Sequence, residues 1–166
     1  MIIELSKDDL QEIDRIAHLR NDTKKEAWNR RYCQKTSDFD MNVIGLKGEM
    51  AFSKIFAVQI DDTVRLSGDN GLDFTLDDQT FQVKSTKYRG GYLYFNSLRD
   101  FKTNYAIVTY PFEKDGRTFV EVGGFVSRKK FCEDHKIVNF GYGDRCALEK
   151  EDLSDIKNLV SKFKIQ

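Results

Sequence analysis

Polar and apolar residues alternate strictly along segment 71–84, as in two short strands joined at Asp77-Asp78. Because side chains alternate across a strand, the apolar residues form one face, which we expect to be the core face. These residues are Leu72, Phe74, Leu76, Phe81 and Val83. The opposite face carries Asp73, Thr75, Thr80, Gln82 and Lys84. A carboxylate, an amide and an ammonium on one face of a hairpin could hold a divalent metal ion and a phosphodiester.

The length of the turn decides which polar residues face each other. A two-residue turn pairs Leu76 with Gln79 and places Asp73 opposite Gln82. A four-residue turn keeps the same faces and shifts Asp73 to a position opposite Lys84. A three-residue turn exchanges the faces, and the apolar pattern argues against it. Asp-Asp is a poorer turn than Asn-Gly, although Asp tolerates left-handed backbone better than most residues.

The composition of the chain favours one globular domain. The chain has 166 residues, of which 40% are hydrophobic and 33% charged, and it contains a single proline. No apolar run approaches the roughly 20 residues of a membrane span. The N-terminus becomes acidic and polar too early for a signal peptide. We therefore expect a soluble, intracellular (cytoplasmic) protein.

The charges balance overall but are distributed unevenly. Basic and acidic residues number 27 each, so the net charge neither requires nor excludes a nucleic-acid partner. Basic residues exceed acidic ones in segments 20–35 and 84–102, either of which could be a solvated surface or a nucleic-acid contact. Cys132, His135 and Cys146 could supply three zinc ligands, but their spacing matches no familiar zinc site and a fourth ligand is missing.

Apolar spacing predicts a helix over residues 7–19 and a closing helix over 150–165. Segment 22–35, rich in helix formers and charge, is expected to be a basic helix or a long arm, and a third helix is expected over 42–57. On the third helix, Glu49 is flanked by Leu46, Phe52 and Phe56 and faces the apolar side. Burying an ionised carboxylate is costly without a cation or several donors, so Glu49 needs a partner. The alternative to a functional partner is a salt bridge to a basic residue elsewhere in the chain.

Strands are predicted at 92–95, after the turn at Gly90-Gly91, at 105–110 and at 118–122. The near-continuous apolar run 105–110 is typical of a central strand buried on both faces, and we expect Pro111 to limit it. The Gly123-Gly124 pair then leads into 125–126. The order of elements suggests an α/β sandwich with a four- to five-strand mixed sheet covered on both sides. We divide the single domain into a helical N-terminal extension (1–38), a core (41–127) and a C-terminal helical closure (128–166).

Three segments in order resemble the PD-(D/E)XK nuclease superfamily. They are the Gly-Leu-Lys-Gly-Glu of 45–49, the Gly-Leu-Asp-Phe of 71–74 and the Phe-Gln-Val-Lys-Ser-Thr of 81–86. The resemblance covers residues 41–127 and implies a restriction-endonuclease-like α/β/α sandwich. Gln82 departs from the pattern, since the family most often has Asp or Glu there. A glutamine carbonyl can still ligate a metal ion but brings no charge.

The resemblance implies an active site made of Glu49, Asp73, Gln82 and Lys84. The first three, with the carbonyl of Val83, would hold Mg²⁺ or Mn²⁺, which would polarise the scissile phosphate and lower the pKa of a bound water. Lys84 would orient the attacking water or neutralise charge on the phosphate. Candidates for contacts to the nucleic-acid backbone are Lys24, Arg30, Arg31, Lys47, Lys87 and Arg89.

We therefore predict a metal-dependent DNA endonuclease. The residues leave open whether the substrate is DNA or RNA, and whether the protein acts as a homodimer. A catalytically inactive nucleic-acid-binding module on the same fold, or an accessory subunit, is the alternative function. The glutamine at position 82 would then be a sign that catalytic activity has been lost.

Overall fold

The structure is a computed structural model that describes residues 1–28, 38–60 and 71–163. A five-stranded mixed sheet and four helices account for most of these residues. The strands are β1 (Ile2–Leu5), β2 (Phe74–Leu76), β3 (Gln79–Ser85), β4 (Leu93–Phe95), β5 (Tyr105–Lys114), β6 (Arg117–Ser127), β7 (Lys136–Asn139) and β8 (Asp144–Leu148). The helices are α1 (Lys7–Trp28), α2 (Asp38–Phe56), α3 (Arg128–Asp134) and α4 (Ile156–Phe163). Short 3₁₀ turns lie at Leu98–Asp100 and Lys150–Asp152.

The main sheet has the strand order β1-β6-β5-β3-β2, in which β3 and β5 are parallel and the other neighbours antiparallel. The mixed α/β class and the five-strand mixed sheet are confirmed. The central strand is β5, and residues 106–110 are buried as predicted. Pro111 does not end this strand. The ladder to β3 stops at Thr109, so one edge of β5 is free of a strand neighbour where the proline lies.

Helices α1, α2 and α4 cover one face of the main sheet. The side chains that they bury include Ile13 and Ile16 of α1, Leu46 and Phe52 of α2, and Leu159 of α4. α1 begins at a capping box in which Asp9 N donates to Ser6 Oγ (3.1 Å) and Ser6 N donates to Asp9 Oδ2 (2.7 Å). Gly48 lets α2 approach the sheet closely, because a Cβ there would lie 2.1 Å from Ser85 Oγ.

The other face of the main sheet is covered mainly by strands. A three-stranded sheet of order β4-β8-β7 and the short helix α3 enclose a second core, in which the rings of Phe95, Phe101 and Phe131 pack together. The prediction of a helical closure over 128–166 is therefore wrong for 136–148, which forms β7 and β8. The closing helix also begins later than predicted, at Ile156, and residues 164–166 lie outside the described part.

Strand β6 runs through Gly123-Gly124 as one element, where the sequence suggested a break. The ladder between β5 and β6 shifts register between Val108 and Thr109, so the glycine pair forms a bulge. A Cβ at Gly123 would lie 2.4 Å from the Tyr110 ring, and Gly124 has φ +153°. The bulge directs Val122 into the helical core and Val126 into the second core.

The N-terminal segment is part of the main sheet. β1, which was not predicted, pairs with β6 from Ile2 opposite Glu121 to Leu5 opposite Thr118. α1 extends from the first predicted helix to Trp28, and so includes the start of the second predicted segment (22–35). Residues 29–35 of that segment lie outside the described residues. Among the helices of the described residues, none has the length and apolar character needed to cross a membrane.

Candidate active site

The β2–β3 hairpin turns on two residues. Leu76 pairs with Gln79, and Asp77 and Asp78 take φ values of +45° and +61°, as in a type I′ turn. The two-residue alternative is thus confirmed. Continuing the register one step beyond Phe74 and Phe81 places Asp73 opposite Gln82.

The predicted faces of the hairpin are confirmed with one exception. Phe74, Leu76, Phe81 and Val83 are buried and belong to the helical core. Leu72 was expected among them and is exposed, because it precedes the first paired residue of β2.

Asp73 is fixed against β3 by its own side chain. Its backbone N donates to Phe81 O (3.0 Å), and Val83 N donates to its carboxylate Oδ2 (2.6 Å). The carboxylate thus accepts from the amide that directly follows Gln82. A hydrogen bond from a backbone N–H favours the ionised carboxylate.

Gln82 is a buried polar side chain with an unsatisfied oxygen. It is 7% exposed, and its Oε1 has no hydrogen-bond partner within the described part of the chain. The amide lies against the backbone of Gly71, where a Cβ would be 2.3 Å from Gln82 Nε2. A buried acceptor left unpaired costs roughly 1–3 kcal/mol, so this oxygen is a candidate ligand atom.

Lys84 lies two residues beyond Gln82 on the same face of β3. Its ammonium sits 5.2 Å from the centroid of the Phe95 ring, and no carboxylate of the described residues forms an ion pair with it. The side chain lines a cavity of about 260 Å³ between β3 and β4. An ammonium in such a position is available to an anionic ligand.

Glu49 has found a basic partner. Arg20 of α1 donates to both of its carboxylate oxygens, with N–O distances of 3.3 and 3.2 Å, and the Glu49 side chain is 12% exposed. The sequence predicted that Glu49 needs a partner, and it offered a salt bridge to a basic residue elsewhere in the chain as one alternative. The structure shows such a salt bridge. The neighbouring Gly48 packs on Val83 and Ser85, so α2 approaches β3 from the face opposite to Lys84.

The basic residues proposed for backbone contacts differ in their surroundings. Lys47 pairs with Glu113 (3.1 Å), and Arg89 donates to Glu121 (2.9 and 2.6 Å). Lys87 is exposed and forms no ion pair with the described residues. The remaining candidates are Arg30 and Arg31, which lie outside the described residues, and Lys24, of which only the backbone is described.

Several residues near the site were not recognised as such in the sequence. They are Arg20, Gly71 and the cavity residues Tyr94, Phe95, Asn96 and Asp100. The positive φ of Gly71 (+77°) agrees with a glycine just before the strand, which was the one available signal. The cavity depends on β4 crossing over the Lys84 face, which local patterns do not reveal.

Within the described ranges, no group of three or more His, Cys, Asp or Glu residues is arranged to hold a metal ion. Comparisons with family models, curated proteins and solved structures found no significant match to this chain.

Proposed function

We propose that the chain is a metal-dependent endonuclease of the restriction-endonuclease-like fold that hydrolyses DNA phosphodiester bonds. One observation carries the proposal. Gln82, whose side-chain oxygen is buried and unpaired among the described residues, lies opposite Asp73 in the hairpin register, and Lys84 follows on the same face without a carboxylate partner among those residues. Such groups suit a cation and an anion bound side by side.

The oxygen donors at this position fit a small hard cation. Asp73 would supply a carboxylate, and Gln82 and the Val83 carbonyl would supply neutral oxygens. Mg²⁺ is commonly bound through one or two carboxylates with water and substrate phosphate, which agrees with so small a set. A bound Mg²⁺ or Mn²⁺ would polarise the scissile phosphate and lower the pKa of a water ligand.

We assign Glu49 as the second carboxylate of this set. β2 begins at Phe74, opposite Phe81, so the later residues of β3 have no strand neighbour on that edge. Around an open edge, a side chain from α2 can approach groups that project from the opposite face. Arg20 would then orient Glu49 and compensate its charge while the carboxylate is half-buried.

The remaining steps belong to Lys84 and the hairpin. The Lys84 ammonium would neutralise charge that develops on the phosphate and orient the attacking water. The Phe95 ring beneath it limits the positions that the side chain can take. The hydrogen bond from Val83 N to Asp73 holds the carboxylate in place before substrate arrives, and such pre-organisation is what electrostatic catalysis requires.

An inactive DNA-binding module is the second candidate function. Two observations favour it: the neutral side chain at position 82 and the neutralisation of Glu49 by Arg20. Both reduce the negative charge available to a divalent cation. Such a module would bind DNA in a salt-sensitive manner and release no product.

Incubation of supercoiled plasmid with Mg²⁺ or Mn²⁺ tests the proposal. The wild type should nick or linearise the plasmid, and a chelator should abolish the reaction. Lys84→Met should lower the rate by about 100-fold or more while the variant stays folded, because an electrostatic stabiliser of the transition state is lost.

Lys157→Met is the matched control, since Lys157 is exposed on α4 and its side chain forms no ion pair with the described residues. It should cleave like the wild type. Retarded migration of DNA at low salt without any cleavage product would identify the inactive module instead. Full activity of Lys84→Met would contradict the proposed site.

A further inference from the structure

The cavity beside Lys84 is lined by both aromatic and polar side chains. Tyr92, Tyr94 and Phe95 contribute aromatic surface, and Asn96 and Asp100 contribute polar groups at its rim. Asp100 accepts hydrogen bonds from Ser97 N (3.0 Å) and Ser97 Oγ (3.1 Å), which fix its carboxylate. The volume of the cavity, about 260 Å³, is below that of the usual drug-sized pocket and suits a small planar group.

Aromatic side chains continue outside the cavity. The centroid of the Phe140 ring lies 5.4 Å from that of Tyr92 and 5.3 Å from that of Tyr94. Tyr142 follows two residues later at the tip of the β7–β8 hairpin. We call Tyr92, Tyr94, Phe140 and Tyr142 the aromatic surface. Tyr94 lies on β4 and Tyr92 directly before it, and Phe140 and Tyr142 lie in the connection between β7 and β8.

This aromatic surface is open to solvent. Tyr94 is 46% and Tyr142 88% exposed, although Phe95, the residue next to Tyr94, is fully packed in the second core. Contiguous exposed aromatic residues beside a cavity are typical of a binding site rather than of packing. Their exposure leaves Tyr94 and Tyr142 accessible to a binding partner.

Two cations near the aromatic surface and the cavity have no carboxylate partner among the described residues. Arg145 donates to the carbonyls of Asp144 (2.9 Å) and Tyr142 (3.1 Å) and forms no ion pair with a carboxylate of the described residues. Lys84 provides a second such cation inside the cavity. Cations without a carboxylate partner, together with exposed aromatic rings, match a single strand, in which phosphates alternate with flat bases.

We propose that the aromatic surface and the cavity bind unpaired nucleotides of a DNA strand, with one unstacked base in the cavity beside Lys84. The inference rests on the proposed function, because it takes Lys84 as the group that contacts the phosphate. It names the substrate class as single-stranded DNA or DNA with unpaired nucleotides. In a duplex the bases stack on each other and cannot present their faces to protein rings.

Fluorescence anisotropy with a labelled strand roughly 12 nucleotides long tests this, in a chelator so that no strand is cleaved. The same strand annealed to its complement is the duplex probe. The wild type should bind the single strand more tightly than the duplex. Tyr94→Leu should weaken single-strand binding by about tenfold or more, because stacking on one base is lost, and leave duplex binding unchanged.

Tyr142→Ser is the second variant, since a side chain so exposed has little part in folding, and it should also weaken single-strand binding. Phe119→Leu, which removes a ring stacked on Phe112 near the β5–β6 turn, should bind both probes like the wild type. Equal affinity for both probes, no binding to either, or unchanged binding by both tyrosine variants would overturn the inference. Because the chelator stops cleavage, single-strand selectivity without plasmid cleavage would overturn the nuclease assignment and support this surface.

Discussion

At the scale of single residues, the unpaired oxygen of Gln82 is the most unusual feature of the hairpin. Folding places it in the interior, where an acceptor without a donor lowers stability by roughly 1–3 kcal/mol. Asp73 and Lys84 project from the same face of the hairpin, but an ionised carboxylate has no proton to donate and the Lys84 ammonium forms no hydrogen bond with this oxygen. A ligand that binds this oxygen would recover the free energy lost on burial.

Gln82→Glu should change metal affinity and apo stability in opposite directions. A second carboxylate beside Asp73 adds charge for a divalent cation, so Mn²⁺ should raise the melting temperature more than in the wild type. Without metal the variant should be less stable at neutral pH by about 1–3 kcal/mol, because a buried carboxylate has no partner. Thermal melting with and without Mn²⁺ measures both effects.

The control for this variant is Gln79→Glu, the same change at the less buried first residue of β3. It should leave the Mn²⁺ response as in the wild type. A Gln82→Glu protein that is as stable as the wild type without metal and no more responsive to Mn²⁺ would show that position 82 faces no cation.

At the scale of elements, two hairpins use the same kind of turn with different residues. The β2–β3 turn is Asp77-Asp78, and the β5–β6 turn is Asp115-Gly116, with positive φ at all four positions. Glycine adopts this backbone without strain, whereas aspartate does so at a cost. The hairpin that carries the candidate site is therefore the one with the poorer turn.

Asp78→Gly should stabilise the protein by about 0.5 kcal/mol, because it relieves the second left-handed residue of the turn. The reciprocal change Gly116→Asp should destabilise it by a similar amount. Urea unfolding of both variants measures the difference in free energy. A destabilised Asp78→Gly protein would show that the Asp78 side chain contributes more than its backbone strain costs.

A charged cluster ties the turn after β3 to the rest of the fold. Glu121 accepts from Lys150 and Arg89, and these hydrogen bonds hold its pKa below the usual range. On β5, opposite Glu121, the Tyr110 hydroxyl donates to Gly91 O (2.7 Å). Burial, together with the charges of Glu121 and Glu151, raises the pKa of Tyr110 to about 12. The phenol is thus a donor at neutral pH and holds the Gly90-Gly91 turn on β5.

The cluster predicts a defined acid dependence of stability. Since the folded-state pKa of Glu121 is lowered, its contribution is present above the pKa of the unfolded chain and lost as pH falls through the folded value. Glu121→Gln should therefore cost about 1 kcal/mol at pH 7, and the difference from wild type should shrink at acidic pH.

Denaturant unfolding from neutral to acidic pH measures the difference in unfolding free energy between Glu121→Gln and the wild type. Glu133→Gln is the control. Glu133 is exposed on α3 and forms no ion pair with the described residues, so its variant should match the wild type at every pH. A deficit in Glu121→Gln that does not depend on pH would assign the loss to packing instead of charge.

At the scale of the whole molecule, the features that the sequence predicted are local ones. The hairpin and its faces followed from alternation within one short segment, which left the two- and four-residue turns both open, and β5 followed from a continuous apolar run. The apolar position of Glu49 revealed that it needs a partner. In each case the physical cause lies within a few residues of its effect.

The features that the sequence did not reveal depend on distant parts of the chain. β1 is defined by pairing with β6, more than a hundred residues later, and Arg20 meets Glu49 only because α1 packs on α2. β7 and β8 are short and carry polar and exposed apolar residues, such as Ile137, so no periodicity marks them. The cavity on Lys84 exists because this small sheet covers the second face.

The central claim is that Asp73 and its neighbours on the hairpin hold a divalent cation, and thermal melting in millimolar Mn²⁺ tests it most directly. Binding to the folded state alone should raise the melting temperature of the wild type, by roughly 2–4 °C for each kcal/mol that the bound ion adds to the free energy of unfolding. Asp73→Asn keeps an oxygen that can accept from Val83 N but removes the charge, so this variant should fold and show no shift. A wild type that does not respond to Mn²⁺, or an Asp73→Asn protein that responds equally, would contradict the account.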